Sequence, residues 1–308
     1  MRPRLRAQRG APDEDRGRPF QLVRLRRHQR NARVPALPLI LVNGETRDTL
    51  SALDRGLALG DGVFRTLRVR AGRPLNWRWH WSRLAADCEK LELPAPDERQ
   101  LREEIGRVAP ADAVVKATIT RGEAGRGYAV PTEVRTTRIV SAHPLPDYPS
   151  EWRDAGVRVR RCHLVLAQQP RLAGAKTLNR LENVLARSEW DDAGIAEGLI
   201  ADAEGRVIEG TFSNVFVAAA GRVFTPDLAR CGVVGAQRER VRELLRREKV
   251  HCEERDLRWT DVLAAEEIFL TNSLFDVWAV RQVDERAYAP GPIAARVRSL
   301  IERDDAAA

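Results

Sequence analysis

The sequence predicts a mixed α/β protein built from two units, and three observations predict it. Its 308 residues suffice for two modest hydrophobic cores. Short strand-like apolar runs alternate with stretches of helical periodicity. A proline-rich segment, HPLPDYPSEW, separates two such series. The expected layout is a leader over 1–37, a smaller unit over 38–143, a linker over 144–150, a larger unit over 151–302 and a tail over 303–308.

The first unit opens with LPLILVNG, a strand closed by an Asn-Gly turn. GDGVFRTLRVRAGRPLNW reads as a strand, a turn at Ala71-Gly72-Arg73 and a second short strand. Trp77, Trp81, Leu84, Cys88 and Leu91 fall at helical spacing and predict a helix over about 77–92. A polar helix over 97–108 and strands over 113–121 and 136–143 complete the unit. In the second unit GVRVRRCHLVL is a strand that leads into a loop around Lys176. An amphipathic helix, NRLENVLARSEWDDAG, is expected to run to Gly194. Two hairpins follow, AEGLIADAEGRVIEG and TFSNVFVAAAGRVFTP. A glycine-punctuated loop then enters the basic helix AQRERVRELLRRE. EEIFLTNSLFDVWAV reads as one strand, and a terminal helix closes the chain.

Charge excludes one class of function. Residues 1–37 hold 11 arginines and three acids, a net of 11 − 3 = +8, which is the whole excess of the chain. The remainder is neutral, with 52 − 11 = 41 basic and 44 − 3 = 41 acidic residues, so no basic surface continues the arm and a nucleic-acid partner is not expected. The arm itself has little apolar periodicity and reads as a disordered leader, or as sequence upstream of the true start. No apolar run approaches the roughly 20 residues that span a bilayer, so no membrane partner is expected either. Four scattered cysteines without a CxxC pair, and no signal segment, read as reduced thiols of a cytoplasmic protein. No His/Glu cluster has metal-ligand spacing, and no metal is expected.

Lysine usage points to the chemistry. Only Lys90, Lys116, Lys176 and Lys249 stand among 52 basic residues. Arginine stays protonated, whereas a desolvated lysine can form an imine with an aldehyde such as pyridoxal phosphate. Lys90 and Lys249 lie in charged helical contexts, and Lys116 sits in a strand. Lys176 sits in a glycine-containing loop before a helix, a position where a solvated lysine is also ordinary. A phosphorylated aldehyde cofactor would also need a carboxylate for its pyridine nitrogen and donors for its phosphate. Glu209, at the turn after GRVI, is a candidate for the first and equally readable as a surface hairpin residue. Gly235-Ala236-Gln237-Arg238 at a helix start, Thr271-Asn272-Ser273 at a strand end and Arg83 are candidates for the second.

The order of these stretches carries a resemblance. DRGLALGDGVFRTLRV, HWSRL, ITRGEAGRGY, LAGAKTLNRLENVLAR, EGTFSNVF, GVVGAQR and LTNSL, spread over about 38–300, resemble the fold-type IV (class IV aminotransferase) pyridoxal-phosphate enzymes. Within that group RGEAGRGY and LAGAKTLNRLENVLAR are most similar to the aminodeoxychorismate lyases. Thr177 departs from the lyase pattern, which has histidine there. The resemblance implies a homodimer of two-domain subunits, each with a larger mixed-sheet C-terminal domain and pyridoxal phosphate between the domains. It implies that Lys176 forms the Schiff base, that Glu209 faces the pyridine nitrogen, and that Asn214 orients the ring through its neighbours. Arg83, the Ala236 and Gln237 N–H groups and Ser273 would take the phosphate, and Arg126 and Tyr128 the substrate. The implied activity is conversion of 4-amino-4-deoxychorismate to 4-aminobenzoate and pyruvate, a step toward folate. A transaminase acting on D-amino or branched-chain amino acids is the alternative.

Overall fold

The structure, a computed structural model, describes residues 39–289 and 291–306. The leader over 1–37 lies outside the described residues.

The first series of elements is β1 (Ile40–Val42), β2 (Glu45–Thr46), α1 (Arg55–Leu59), β3 (Gly62–Arg70), β4 (Arg73–Pro74), α2 (Trp77–Lys90), α3 (Glu98–Val108), β5 (Ala113–Thr120) and β6 (Thr137–His143). Its strands form one antiparallel sheet in the order β2-β1-β6-β5-β3-β4. Residues of α2 and α3 (Leu84, Leu101, Ile105) meet Leu41, Leu67 and Val115 of the sheet in a single core. Asp97 caps α3 by accepting the Gln100 N–H at 2.8 Å, one of the amides a helix start leaves unpaired. Along β3 the alternation of the strand buries Val63, Arg65, Leu67 and Val69 on one face, so one arginine is carried into an otherwise apolar row.

The second series is α4 (Ser150–Asp154), β7 (Val157–Leu166), α5 (Leu181–Arg187), β8 (Ile195–Asp202), β9 (Arg206–Gly210), β10 (Asn214–Ala219), β11 (Arg222–Pro226), α6 (Ala236–Arg247), β12 (Cys252–Arg255), β13 (Leu257–Arg258), α7 (Trp259–Ala264), β14 (Glu267–Asn272), β15 (Asp276–Val283), β16 (Arg286–Ala287) and α8 (Pro292–Ala306). They build a ten-stranded sheet in the order β12-β11-β10-β14-β15-β7-β8-β9-β13, with β16 on β15. Most pairs are antiparallel, but β11 runs parallel to β12, and β7 runs parallel to both of its neighbours, β15 and β8. A parallel pair needs a crossover, and the segment holding Lys176 and α5 is the one that joins β7 to β8. Alternate residues of β10 and β14 enter two cores. Phe216 and Phe269 pack with Val241 of α6 and Val297 of α8, while Val215 and Ile268 pack with Leu199 and Trp278.

The α/β class stands as expected, and three elements differ from the sequence reading. Helix α5 stops at Arg187 and does not run to Gly194. The residues beyond it have other partners: the Glu189 carboxylate accepts the His163 and Leu164 N–H groups, and Trp190 donates to Ile195 O. EEIFLTNSLFDVWAV is not one strand but the hairpin β14–β15, because Asn272 Oδ1 accepts the Leu274 and Phe275 N–H groups and turns the chain. Helix α8 continues past Glu302 to Ala306, because Asp304 and Asp305 pair with the buried Arg240.

Candidate active site

A cavity of about 490 Å3 is lined by residues of β3, α2, α5, the 209–214 turn, the start of α6 and the β14–β15 turn. Lys176 lines it, fixed through the backbone around it. Lys176 O accepts the Phe64 N–H at 3.0 Å and Leu178 N donates to Gly62 O at 2.9 Å, which stitches the loop to β3. Gly174 exchanges bonds with Gly232 and Val234 at 2.8 and 2.9 Å, which ties it to the loop before α6. The Lys176 N–H donates to Asp87 of α2 at 3.3 Å. The Nζ sits 4.7 Å over the Phe64 ring. Burial, then the charges of Arg65 and Arg180, hold this amine down at about 8 from an ordinary 10.5.

Glu209 is buried in the same cavity, and its Oε2 accepts the Val233 N–H at 2.8 Å. Burial pushes its carboxyl up, against the pull of Arg180, the Val233 N–H and Lys176. Asn214 is spent on backbone: Nδ2 donates to Val233 O at 2.8 Å, and Oδ1 accepts the Gly235 N–H at 3.1 Å. It therefore shapes the loop before α6. At the N-terminus of α6, Gly235 supplies no side-chain cap, and Ala236 and Gln237 line the cavity. Ser273 lines it from the β14–β15 turn. Thr271 is buried there with its Oγ1 unpartnered among the described residues.

Lys176, Glu209, Asn214, Ala236, Gln237 and Ser273 are thus brought together. Three other candidates are not among the lining residues. Arg83 meets the site through Asp87, to which its guanidinium lies at 3.6 Å. Arg126 and Tyr128 stand on an exposed loop, with Tyr128 87% exposed. The loop is anchored from below, where Arg55 donates to Gly127 O and Ala129 O at 3.1 and 3.2 Å.

Sequence reasoning missed Arg65 and Arg180. Arg65 lines the cavity, pairs with the buried Asp87, and donates to Val234 O at 3.2 Å. Its signal was present, an arginine in phase with the apolar row of GVFRTLRVR. Arg180 donates to Thr177 O at 3.1 Å and to Thr177 Oγ1 at 3.0 Å. The residue that departs from the lyase pattern is therefore buried as the acceptor that orients Arg180. His80, also at the cavity, is pushed down to about 3 by burial and then by Arg65, so it stands neutral.

A family profile described as Amino-transferase class IV matches residues 62–283, a span that includes every lining residue. The chain belongs to the class IV aminotransferase family. Its sequence is 34% identical over 238 residues to an aminodeoxychorismate lyase of Vibrio harveyi, covering 77% of this chain and 88% of that one. It is 26% identical over 266 residues to a D-alanine aminotransferase of Bacillus licheniformis, covering 81% and 89%. Its fold is similar to the crystal structure of 4-amino-4-deoxychorismate lyase from Pseudomonas aeruginosa, with TM-score 0.83, 44% identity, and coverage of 86% and 99%. Class IV aminotransferases are pyridoxal-phosphate enzymes. The cavity has the chemistry for that group: a buried amine, a buried carboxylate, an uncapped helix start and an unpartnered Thr271 hydroxyl.

Proposed function

We propose that this class IV protein is a pyridoxal-phosphate-dependent lyase that converts 4-amino-4-deoxychorismate to 4-aminobenzoate and pyruvate. One observation carries the reading: likeness in sequence to the V. harveyi lyase at 34% identity, against 26% to the D-alanine aminotransferase. In this reading Lys176 holds the cofactor aldehyde and Glu209 its ring nitrogen. Ala236, Gln237, Ser273 and Thr271 serve the phosphate, with Arg65 in the near position and Arg83 behind it. When bound, the cofactor supplies an aldehyde for the substrate amine and a ring that withdraws electrons from the adjacent C–H bond.

The chain's own residues then do three things. Lys176, kept at about 8, is a base available near neutral pH and takes the proton from substrate C4. Glu209, buried and held by the Val233 N–H, would supply the carboxylate that favours a protonated ring nitrogen. Arg65 and Arg180 stabilise the neutral amine, because each lowers its proton affinity. The C3–O bond of the substrate breaks, the C4 proton ends on the departing enolpyruvate, and the remaining ring becomes aromatic. No oxidant or amino acceptor is consumed.

We also propose that 38–143 and 151–302 act as the two domains and that the chain works as a homodimer. Leu53, Leu57, Tyr128, Leu181 and Leu185 are large apolar side chains left exposed on the single chain, and a second copy would cover them. Such a copy would bring the exposed loop of Arg126 and Tyr128 to a neighbouring cavity. The proposed compartment is the cytoplasm, where the four free thiols stay reduced.

The test is product release from purified holoenzyme given aminodeoxychorismate without any keto acid. Equal amounts of pyruvate and 4-aminobenzoate are expected. No release, together with conversion of the cofactor to its amine form by D-alanine or leucine, would make the chain a transaminase. Thr177 in place of histidine is the observation that favours that second reading.

A further inference from the structure

We propose that Phe212 and Arg187 form the substrate-recognising wall of the cavity. Phe212 packs on the face of a flat six-membered ring, and Arg187 receives the carboxylate at the end of the ring opposite the amine. The inference rests on the lyase reading and names what would select its substrate.

Both residues line the cavity. Phe212 is held on a rigid turn. The buried Glu197 carboxylate accepts the Thr211 N–H at 2.9 Å, the Phe212 N–H at 3.2 Å and the Ser213 hydroxyl at 2.7 Å. Asn272 donates to Phe212 O at 3.3 Å from the other side. The ring is backed edge-on by Phe275 and Trp278, with centroids 6.1 and 6.3 Å away, and those two stack on each other at 3.7 Å. Phe212 nevertheless remains 40% exposed. A phenyl ring braced from behind and open toward a cavity is a platform for another flat ring.

Arg187 ends α5. Its guanidinium lies 4.5 Å over the Trp190 ring and donates to Trp190 O at 2.9 Å. Trp190 is itself tied to Ile195 O at 3.1 Å. Guanidinium carries five N–H donors, and Arg187 is exposed, its guanidinium hydrogen-bonded and stacked, among the described residues, only on Trp190. The cation is thus fixed in direction with donors to spare, the condition for bidentate capture of a carboxylate. It stands seven positions beyond Arg180, which touches the residue after Lys176. At 1.5 Å per residue that is roughly 10 Å along the helix. In this proposal an amine docked toward Lys176 and a carboxylate docked at Arg187 belong to opposite ends of a substrate. D-Alanine and leucine carry both groups on one carbon and offer no ring face.

The experiment measures binding of 4-aminobenzoate and of aniline to holoenzyme by calorimetry, beside lyase kinetics. Arg187→Gln should weaken 4-aminobenzoate roughly ten- to hundredfold and leave aniline unchanged. Phe212→Ala should weaken both ligands. In each variant KM should rise by a larger factor than kcat falls, the pattern of lost binding. Wild-type turnover with 4-aminobenzoate affinity and KM unchanged in both variants would overturn the wall while leaving the lyase reading intact. Arg187-dependent 4-aminobenzoate binding without wild-type product release would support the wall and overturn the lyase.

Discussion

The Arg65–Asp87 pair beside the cavity lysine Lys176 is expected to respond asymmetrically to substitution. The Asp87 side chain has no exposed surface and that of Arg65 is 4% exposed. Burial pushes the Asp87 carboxyl up and the Arg65 guanidinium down, and in each case the attraction of the partner opposes the shift. The pair therefore gains little over apolar residues, yet neither member is tolerable alone. Asp87→Asn would leave Arg65 with only neutral acceptors, Val234 O at 3.2 Å and Arg83 O at 3.4 Å. It would also weaken the acceptor of the Lys176 N–H. The expected loss is about 3–5 kcal/mol. At roughly 2–4 °C per kcal/mol, the melting temperature of cofactor-free protein should fall by roughly 6–20 °C. Replacing both partners, Arg65→Met with Asp87→Leu, should recover part of that loss, because the Lys176 N–H and the Arg83 guanidinium still lack the carboxylate. Thermal and urea unfolding of the apoprotein read both variants without interference from turnover. A single-variant loss below about 1 kcal/mol, or a double variant no more stable than the single, would refute the argument.

In cofactor-free protein the Lys176 amine should titrate near 8, so labelling by an amine-directed reagent should rise with pH through that value, while below it the ammonium is unreactive. Peptide mass spectrometry reads the site, and a midpoint near 10.5 would show the amine to be solvated. Glu209→Gln should lower turnover roughly 100-fold or more with little change in the melting temperature; near-normal turnover would remove Glu209 from the chemistry. Gly235→Ala would drive a Cβ into Asn214 Oδ1 and must push aside the side chain that accepts the Gly235 N–H and ties down the loop before α6. Cofactor affinity measured by equilibrium titration should drop, and an unchanged affinity would show that this helix start does not hold the phosphate.

The local elements and most of the residues that line the cavity were legible in the chain because they are carried by short patterns. Period-2 runs gave β3, β5 and the β8–β9 hairpin, and helical spacing gave α2 and α3 within a few residues. The scarcity of lysine singled out Lys176, and an uncapped glycine entry singled out the start of α6. Periodicity and spacing could not show that Lys176 and Glu209 share a cavity, which only the family resemblance implied, since the parallel crossover from β7 to β8 brings them together. Nor could it show that Arg65, not Arg83, is the guanidinium at the wall, because both lie in equally plausible patterns and only burial separates them. Helix α5 was overextended because its amphipathic pattern continues after Arg187, while the chain there is claimed by β7 and β8 through Glu189 and Trp190. Residue types and their periods fixed which groups were available. Burial and long-range contact decided which of them meet, and desolvation at those meetings is what turns an ordinary lysine into a base near neutral pH.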